Sequence, residues 1–169
     1  MAQREDHTNS SPPLAKQQMI IWKWKHFSDL STKELYECMV LRQAVFVIEQ
    51  SCLYLDADGK DSNAYHLMGY QENEMVAYAR ILNPGVSYSE VSIGRVVTST
   101  TIRKTGVGIE LMEKALDHIK TTFGEVDVRL SAQSYLLDFY QKFGFRSTGK
   151  EYLEDDIPHT EMLRTVKKN

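Results

Sequence analysis

The chain has 169 residues, enough to bury one hydrophobic core without disulfide or metal staples. Hydrophobic residues make up 42% and charged residues 25%, which excludes wholesale disorder, and a net charge of −3 lacks the basic excess of a nucleic-acid binder. Cys38 and Cys52 form neither a CxxC pair nor a zinc-type spacing, and no stretch is long and apolar enough for a membrane span. The expectation is a cytoplasmic chain with reduced thiols and neither a membrane nor a nucleic-acid partner.

Residues 1–18 are rich in Ser, Pro, Gln and charge and lack an apolar signal-peptide core, so they read as a disordered polar tail ahead of one domain over 19–169. Ile20, Ile21, Trp22 and Trp24 make a β-prone first strand, with the tryptophans free to pack inside or, with Tyr152, to cover a dimer face. Ser31 followed by Glu34 has capping-box spacing, and Leu35, Cys38, Met39 and Phe46 recur at helical intervals, predicting a helix from Thr32 toward Ile48. Arg42 falls on the same stripe and either snorkels to a rim or lines a substrate pocket.

The acidic stretch Asp56, Asp58, Gly59, Asp61 fails as a calcium loop, because Gly59 stands fourth and Leu67 twelfth where Gly at six and Glu at twelve are needed. With Glu49 it reads as a solvated loop or as a wall for a cationic acceptor. Ala64 to Gln71 and Met75 to Leu82 form a hairpin, and Val91 to Thr98 is a β-branched run suited to a central strand. Met112, Ala115, Leu116 and Ile119 mark a helix, Asp127 to Ala132 a strand, and Ser134 to Lys142 a short helix. Gly144-Phe145 restarts β structure, which ends near Glu161 to Val166. The order β-α-β-β-β-α-β-α-β-β predicts a mixed α/β domain, with a twisted sheet of six to seven strands flanked by helices.

Chemistry concentrates between Thr98 and Gly108. A helix start there presents free N–H groups and the positive end of its dipole, and Gly106 and Gly108 permit close backbone approach. Arg103 and Lys104 add cationic grip for a phosphate. A Walker loop needs Gly-Lys-Ser/Thr, which is absent, and Leu111 stands where a Rossmann fingerprint needs its third Gly.

Arg-x-x-Gly-x-Gly after a Val-rich strand resembles the pyrophosphate motif of the GNAT superfamily, and Phe139-Tyr140-Gln141-Lys142-Phe143-Gly144-Phe145 resembles its second signature. Leu41-Arg42, Val45-Phe46-Val47, Glu49-Gln50, Asp56-x-Asp58, Ala77-Tyr78-Ala79-Arg80, Ile93-Gly94-Arg95-Val96 and Asp155-Asp156-Ile157-Pro158-His159 resemble the ElaA branch of that superfamily. The likeness spans Ile20 to Arg164.

The resemblance implies an acetyl-CoA-dependent N-acetyltransferase acting by direct amine attack in a ternary complex, on a small-molecule or peptide acceptor, as monomer or homodimer. It implies cofactor contacts at Val96, Val97, Thr98, Arg103, Lys104, Gly106, Val107, Gly108 and Gln133, the last standing where many members carry Asn. Tyr140 matches the usual general acid, since a phenol of pKa about 10 suits a thiolate leaving group. Glu90, at the start of the central strand, matches a carboxylate that acts as base through water, with Glu49, His66 and His159 as rivals. Arg42, Glu49 and His66 are the expected acceptor-side residues. The other readings are a cysteine nucleophile at Cys52 or Cys38, a non-catalytic acyl-CoA sensor, and transfer of a longer acyl chain.

Overall fold

Seven strands and three α-helices follow the predicted order in the computed structural model, which describes residues 19–166. The tail expected over 1–18 lies outside the described residues. β1 (Ile21–His26), β2 (Ala64–Gln71), β3 (Glu74–Leu82), β4 (Val91–Thr98), β5 (Val128–Gln133), β6 (Arg146–Glu154) and β7 (Ile157–Arg164) form one sheet in the order β1-β2-β3-β4-β5-β7-β6. Only β4 and β5 run parallel; every other neighbouring pair is antiparallel. β2 and β3 join through Glu72 and Asn73, both at positive φ, as a tight hairpin requires.

α1 (Thr32–Arg42) begins at the predicted capping box. Ser31 Oγ accepts from the Glu34 N–H, and Glu34 accepts in return from the Ser31 N–H at 2.9 Å. The helix then widens into a π-helical segment, Gln43–Glu49, closed by the Gln50 N–H donating to the Val45 carbonyl. Its apolar side, Cys38, Leu41 and Val45, packs on Met68, Tyr70, Tyr78 and Val97. On the opposite face lies α2 (Val107–Phe123), whose buried Val107, Leu111, Met112, Ala115 and Ile119 recur at helical spacing against Leu67, Ala79, Ile81, Ile93 and Leu130. The short α3 (Leu137–Gln141) lies against the same cluster through Tyr140.

The tryptophans pack inward rather than forming an open face. Trp22 Nε1 donates to Glu110 at 2.7 Å, and its ring lies where a Cβ on Gly69 would fall within 2.6 Å. Trp24 stacks on Tyr65 and His118. The last strand is longer than predicted, starting at Ile157, because pairing with both β5 and β6 extends it past the apolar run.

Candidate active site

The cleft originates in an interrupted ladder. β4 and β5 pair only from Val91–Val128 to Ile93–Leu130; beyond that the strands part. A β-bulge starts the divergence, since Arg95 and Val96 together oppose Ala79 between the Tyr78–Val97 and Arg80–Gly94 pairs. Arg95 carries φ +50, a left-handed conformation that costs a non-glycine residue energy. Its guanidinium is tied down by Asp56, with Nε 2.7 Å from Oδ1. The edge of β4 from Val96 to Thr98 therefore turns toward a cleft of about 930 Å³ instead of toward a strand.

At the end of β4 the chain enters the predicted glycine loop. Gly106 adopts φ +92 and caps α2 with no side-chain hydrogen bond; the Ile109 and Glu110 N–H groups both return to its carbonyl. The N–H groups ahead of Ile109 have no intrahelical acceptor, and the helix dipole stands behind them. A Cβ on Gly106 would meet nothing within 4 Å, and one on Gly108 would meet only Phe139 Cζ at 3.9 Å. Internal packing therefore does not demand glycine at 108. A loop with space, free donors and nearby cations fits the pyrophosphate of an acyl-CoA.

Val96, Val97, Thr98, Arg103, Gln133 and Tyr140, from the predicted cofactor set, line the cleft, while Lys104, Gly106, Val107 and Gly108 form the adjoining loop and helix start. Tyr140 is 6% exposed among Phe139 and Phe145, and burial pushes its phenol above its usual range, keeping it protonated. Two residues are already engaged. Glu49 accepts from Arg103 at 2.5 and 2.8 Å, and Gln50 accepts from Gln133 at 3.1 Å, so the end of the π-helical segment spans the cleft.

Two acceptor-side expectations, Arg42 and His66, and the expected base, Glu90, need correction. Arg42 neither snorkels nor reaches the cleft. It is fully buried, donating to Asp56 Oδ2 and Asp61 Oδ1, each at 2.7 Å, and to the Asp56 carbonyl at 3.0 Å. His66 is buried with both ring nitrogens occupied, Nδ1 by Tyr78 Oη at 2.8 Å and Nε2 by the Asp61 carbonyl at 3.1 Å; burial lowers its pKa. Glu90 lies outside the cleft lining, gripped by Arg129 through both carboxylate oxygens, and this pairing lowers its pKa to about 2. So weak a base, already paired, is badly suited to accept an amine proton. The third rival, His159, does line the cleft.

The acidic loop is not solvated either. Asp56, Asp58 and Asp61 interleave with Arg42, Arg80 and Arg95 in a lattice buried at Arg42, Asp56 and Arg80 and open at Asp58; Arg80 grips Asp58 through two bonds of 2.7 Å. Burial alone would raise the Asp58 and Asp61 pKa values, but hydrogen bonds and charge from the arginines outweigh it and hold both below the usual range. Arginines spaced through Leu41-Arg42, Ala79-Arg80 and Gly94-Arg95 were the available signal for this lattice, one per element against three aspartates in one loop.

Cys38 is fully buried with its thiol pushed up to about 12 by burial, and Cys52, at the cleft, donates to the Gln50 carbonyl at 3.4 Å. Burial and a raised pKa make Cys38 unsuited to act as a nucleophile.

The acetyltransferase (GNAT) domain model matches residues 28–166. The chain belongs to the GNAT family. Within that family, protein ElaA of Escherichia coli is 44% identical over 150 residues, covering 88% of this chain and 98% of its own. The crystal structure of Escherichia coli ElaA superposes with a TM-score of 0.81 at 43% identity, over 86% of this chain and 99% of that one. An acyl-CoA N-acyltransferase from Pseudomonas aeruginosa superposes with a TM-score of 0.83 at 42% identity, over 87% of this chain and 100% of its own. The chain is thus an ElaA-type GNAT domain, and no helix among its described residues is long and apolar enough to cross a membrane.

Proposed function

We propose that this GNAT domain transfers acetyl from acetyl-CoA to an amine by direct attack within a ternary complex. The observation that carries the reading is one juxtaposition: the parted β4–β5 edge, Arg103 and Tyr140 line one cleft, and the start of α2 follows Arg103 within four residues. When bound, acetyl-CoA supplies an activated acyl carbon on a thiol leaving group. The first-turn N–H groups of α2 with Arg103 and Lys104 hold its phosphates. Free N–H groups along Val96 to Thr98 orient the pantetheine arm and stabilise the charge that builds on the acyl oxygen. Tyr140, kept neutral by burial, donates a proton to the departing sulfur.

Calorimetry with acetyl-CoA, followed by thiol release with amines, tests this. Wild-type protein binds the cofactor in the micromolar range, and Tyr140→Phe keeps that affinity while losing about 10²-fold or more in rate. An active Tyr140→Phe removes the acid from this scheme, and absence of cofactor binding by wild-type protein refutes the scheme entirely. Unchanged binding with no transfer by wild-type protein points instead to an acyl-CoA sensor.

A further inference from the structure

Deprotonation of the acceptor is left without an agent once Glu90 is paired away. Resting on the transferase reading, we propose that His159 is the general base that takes a proton from the acceptor ammonium.

His159 stands on β7 opposite Gln133 of β5 and Tyr152 of β6, and all three line the cleft. Its Nδ1 lies 2.8 Å from the Ile157 carbonyl oxygen. A carbonyl only accepts, so the proton of the neutral ring sits on Nδ1, and Nε2 keeps its lone pair. That Nε2 lies 3.9 Å from Glu154 Oε2, too far for a hydrogen bond. The ring is stacked on Tyr152 at 17°, and Tyr152 is fixed in turn by its 2.5 Å hydrogen bond to Ser131. With 11% of its side chain exposed, the ring is held yet reachable.

Four of the competing groups are occupied. Glu49 is held by Arg103, Asp58 by Arg80, Glu90 by Arg129, and His66 through both nitrogens. The groups that face His159 are Tyr152 and Glu154 from β6, Asp155 from the following turn, and Ser131 and Gln133 from β5. Farther along the same strands Arg129 and Glu161 neutralise each other, and across the cleft stand Glu49 and Cys52.

The proton balance closes with these residues. One proton of the R–NH₃⁺ group goes to His159 Nε2 and then to solvent. The neutral nitrogen forms the new C–N bond, the C–S bond breaks with its electron pair on sulfur, and Tyr140 gives sulfur its phenolic proton. The phenol recovers the second nitrogen proton, so ammonium and thioester yield amide, thiol and one released proton.

The test is His159→Asn, whose amide can still donate to the Ile157 carbonyl while offering nothing at the Nε2 position. Thiol release from acetyl-CoA is read across pH 5.5–9.5 with spermidine, tyramine, glucosamine and a lysine-bearing peptide, alongside calorimetry with acetyl-CoA. Nitrogen-15 NMR of the wild-type imidazoles reads the tautomer without turnover. The expected results are a neutral His159 protonated at Nδ1, unchanged cofactor affinity in His159→Asn, and a loss of 10²-fold or more in kcat/KM at neutral pH. The acidic limb of the wild-type profile shifts in the variant to the range of the amine itself. A neutral His159 protonated at Nε2, or a variant within threefold of wild type with its acidic limb intact, overturns the proposal while leaving the transferase reading standing. No cofactor binding, or no thiol release with any of the four amines, overturns both.

Discussion

Replacing Arg42 by Met tests whether the buried charge lattice, rather than apolar packing alone, holds the acceptor wall in place. Methionine approximates the length of the arginine stem and creates little strain, so the cost comes from the carboxylates left behind. Arg42 is 0% exposed and makes three hydrogen bonds, two to carboxylates and one to the Asp56 carbonyl. Breaking a buried ion pair by removing one partner costs about 3–5 kcal/mol. Asp56 keeps Arg95 and Asp61 keeps Arg80, which places the loss at the lower end, about 3 kcal/mol. For a domain of this size that lowers Tm by about 6–12 °C. Urea denaturation of wild type, Arg42→Met, Asp61→Asn and the double variant supplies the test. Neutralising Asp61 in the Arg42→Met background recovers at least about 1 kcal/mol, because it removes one of the uncompensated charges. A loss under 1 kcal/mol for Arg42→Met, or strictly additive effects in the cycle, refutes the claim that these groups act as a lattice.

Gly108→Ala is expected to raise stability by about 0.5–1 kcal/mol, since a Cβ there meets nothing closer than 3.9 Å and alanine suits a helix better. On the proposed reading the methyl stands in the first turn that holds the phosphates, so acetyl-CoA affinity falls; a variant equal to wild type in calorimetry removes Gly108 from the site. Glu49→Gln releases the Arg103 guanidinium from a half-exposed pair worth at most about 1 kcal/mol, so acetyl-CoA binding tightens by up to about fivefold, and weaker binding would contradict the competition. Stability should decline gently from pH 7 to 5, because the unfolded chain protonates imidazoles that burial disfavours charging at His66 and His118, and fall further below pH about 4. The reason for the further fall is that Glu34, Asp58, Asp61, Glu90 and Glu161 all have depressed folded-state values: their contribution is complete above the unfolded carboxylate range and is lost as pH drops through the folded values, to about 2 for Glu34 and Glu90. Urea unfolding at half-unit pH steps reads this, and a stability maximum near pH 3 reverses the sign.

Local signals were legible where one segment contains the whole physical cause. The Ser31–Glu34 box, the periodicity of α2 and the β-branched run of β4 each settle their own backbone, and each stands within a residue or two of its expected place. The glycine loop was legible for the same reason, since Gly106 needs φ +92 within a single turn. Arg42, Glu90 and His66 were misassigned because their partners lie far off in sequence: Asp56 and Asp61 for Arg42, Arg129 for Glu90, Tyr78 for His66. An ionisable residue read alone looks available, and only tertiary structure shows whether it is already paired. His159 stands at the opposite pole. Its neighbours Glu154 and Ile157 are local, but the β5 register that brings it to the cleft is not.

These two kinds of cause converge on Arg95. The bulge that turns β4 away from β5 places this residue at positive φ, a conformation costing about 1–3 kcal/mol unless its surroundings hold it there. Asp56 provides that hold at 2.7 Å, and Asp56 is itself oriented by Arg42 from beneath and Tyr54 from above. The parting of β4 from β5 is therefore tied to the acidic loop through Asp56. A perturbation of Asp56 acts on both halves of the cleft together, since relaxing Arg95 toward ordinary β geometry removes the two-against-one mismatch with Ala79 that starts the divergence. The segment between α1 and β2 thus acts on the β4 edge through Asp56 and on Arg103 through Glu49. Acidic and arginine positions far apart in the chain serve one geometric end, keeping a β-edge open where a sheet would otherwise close.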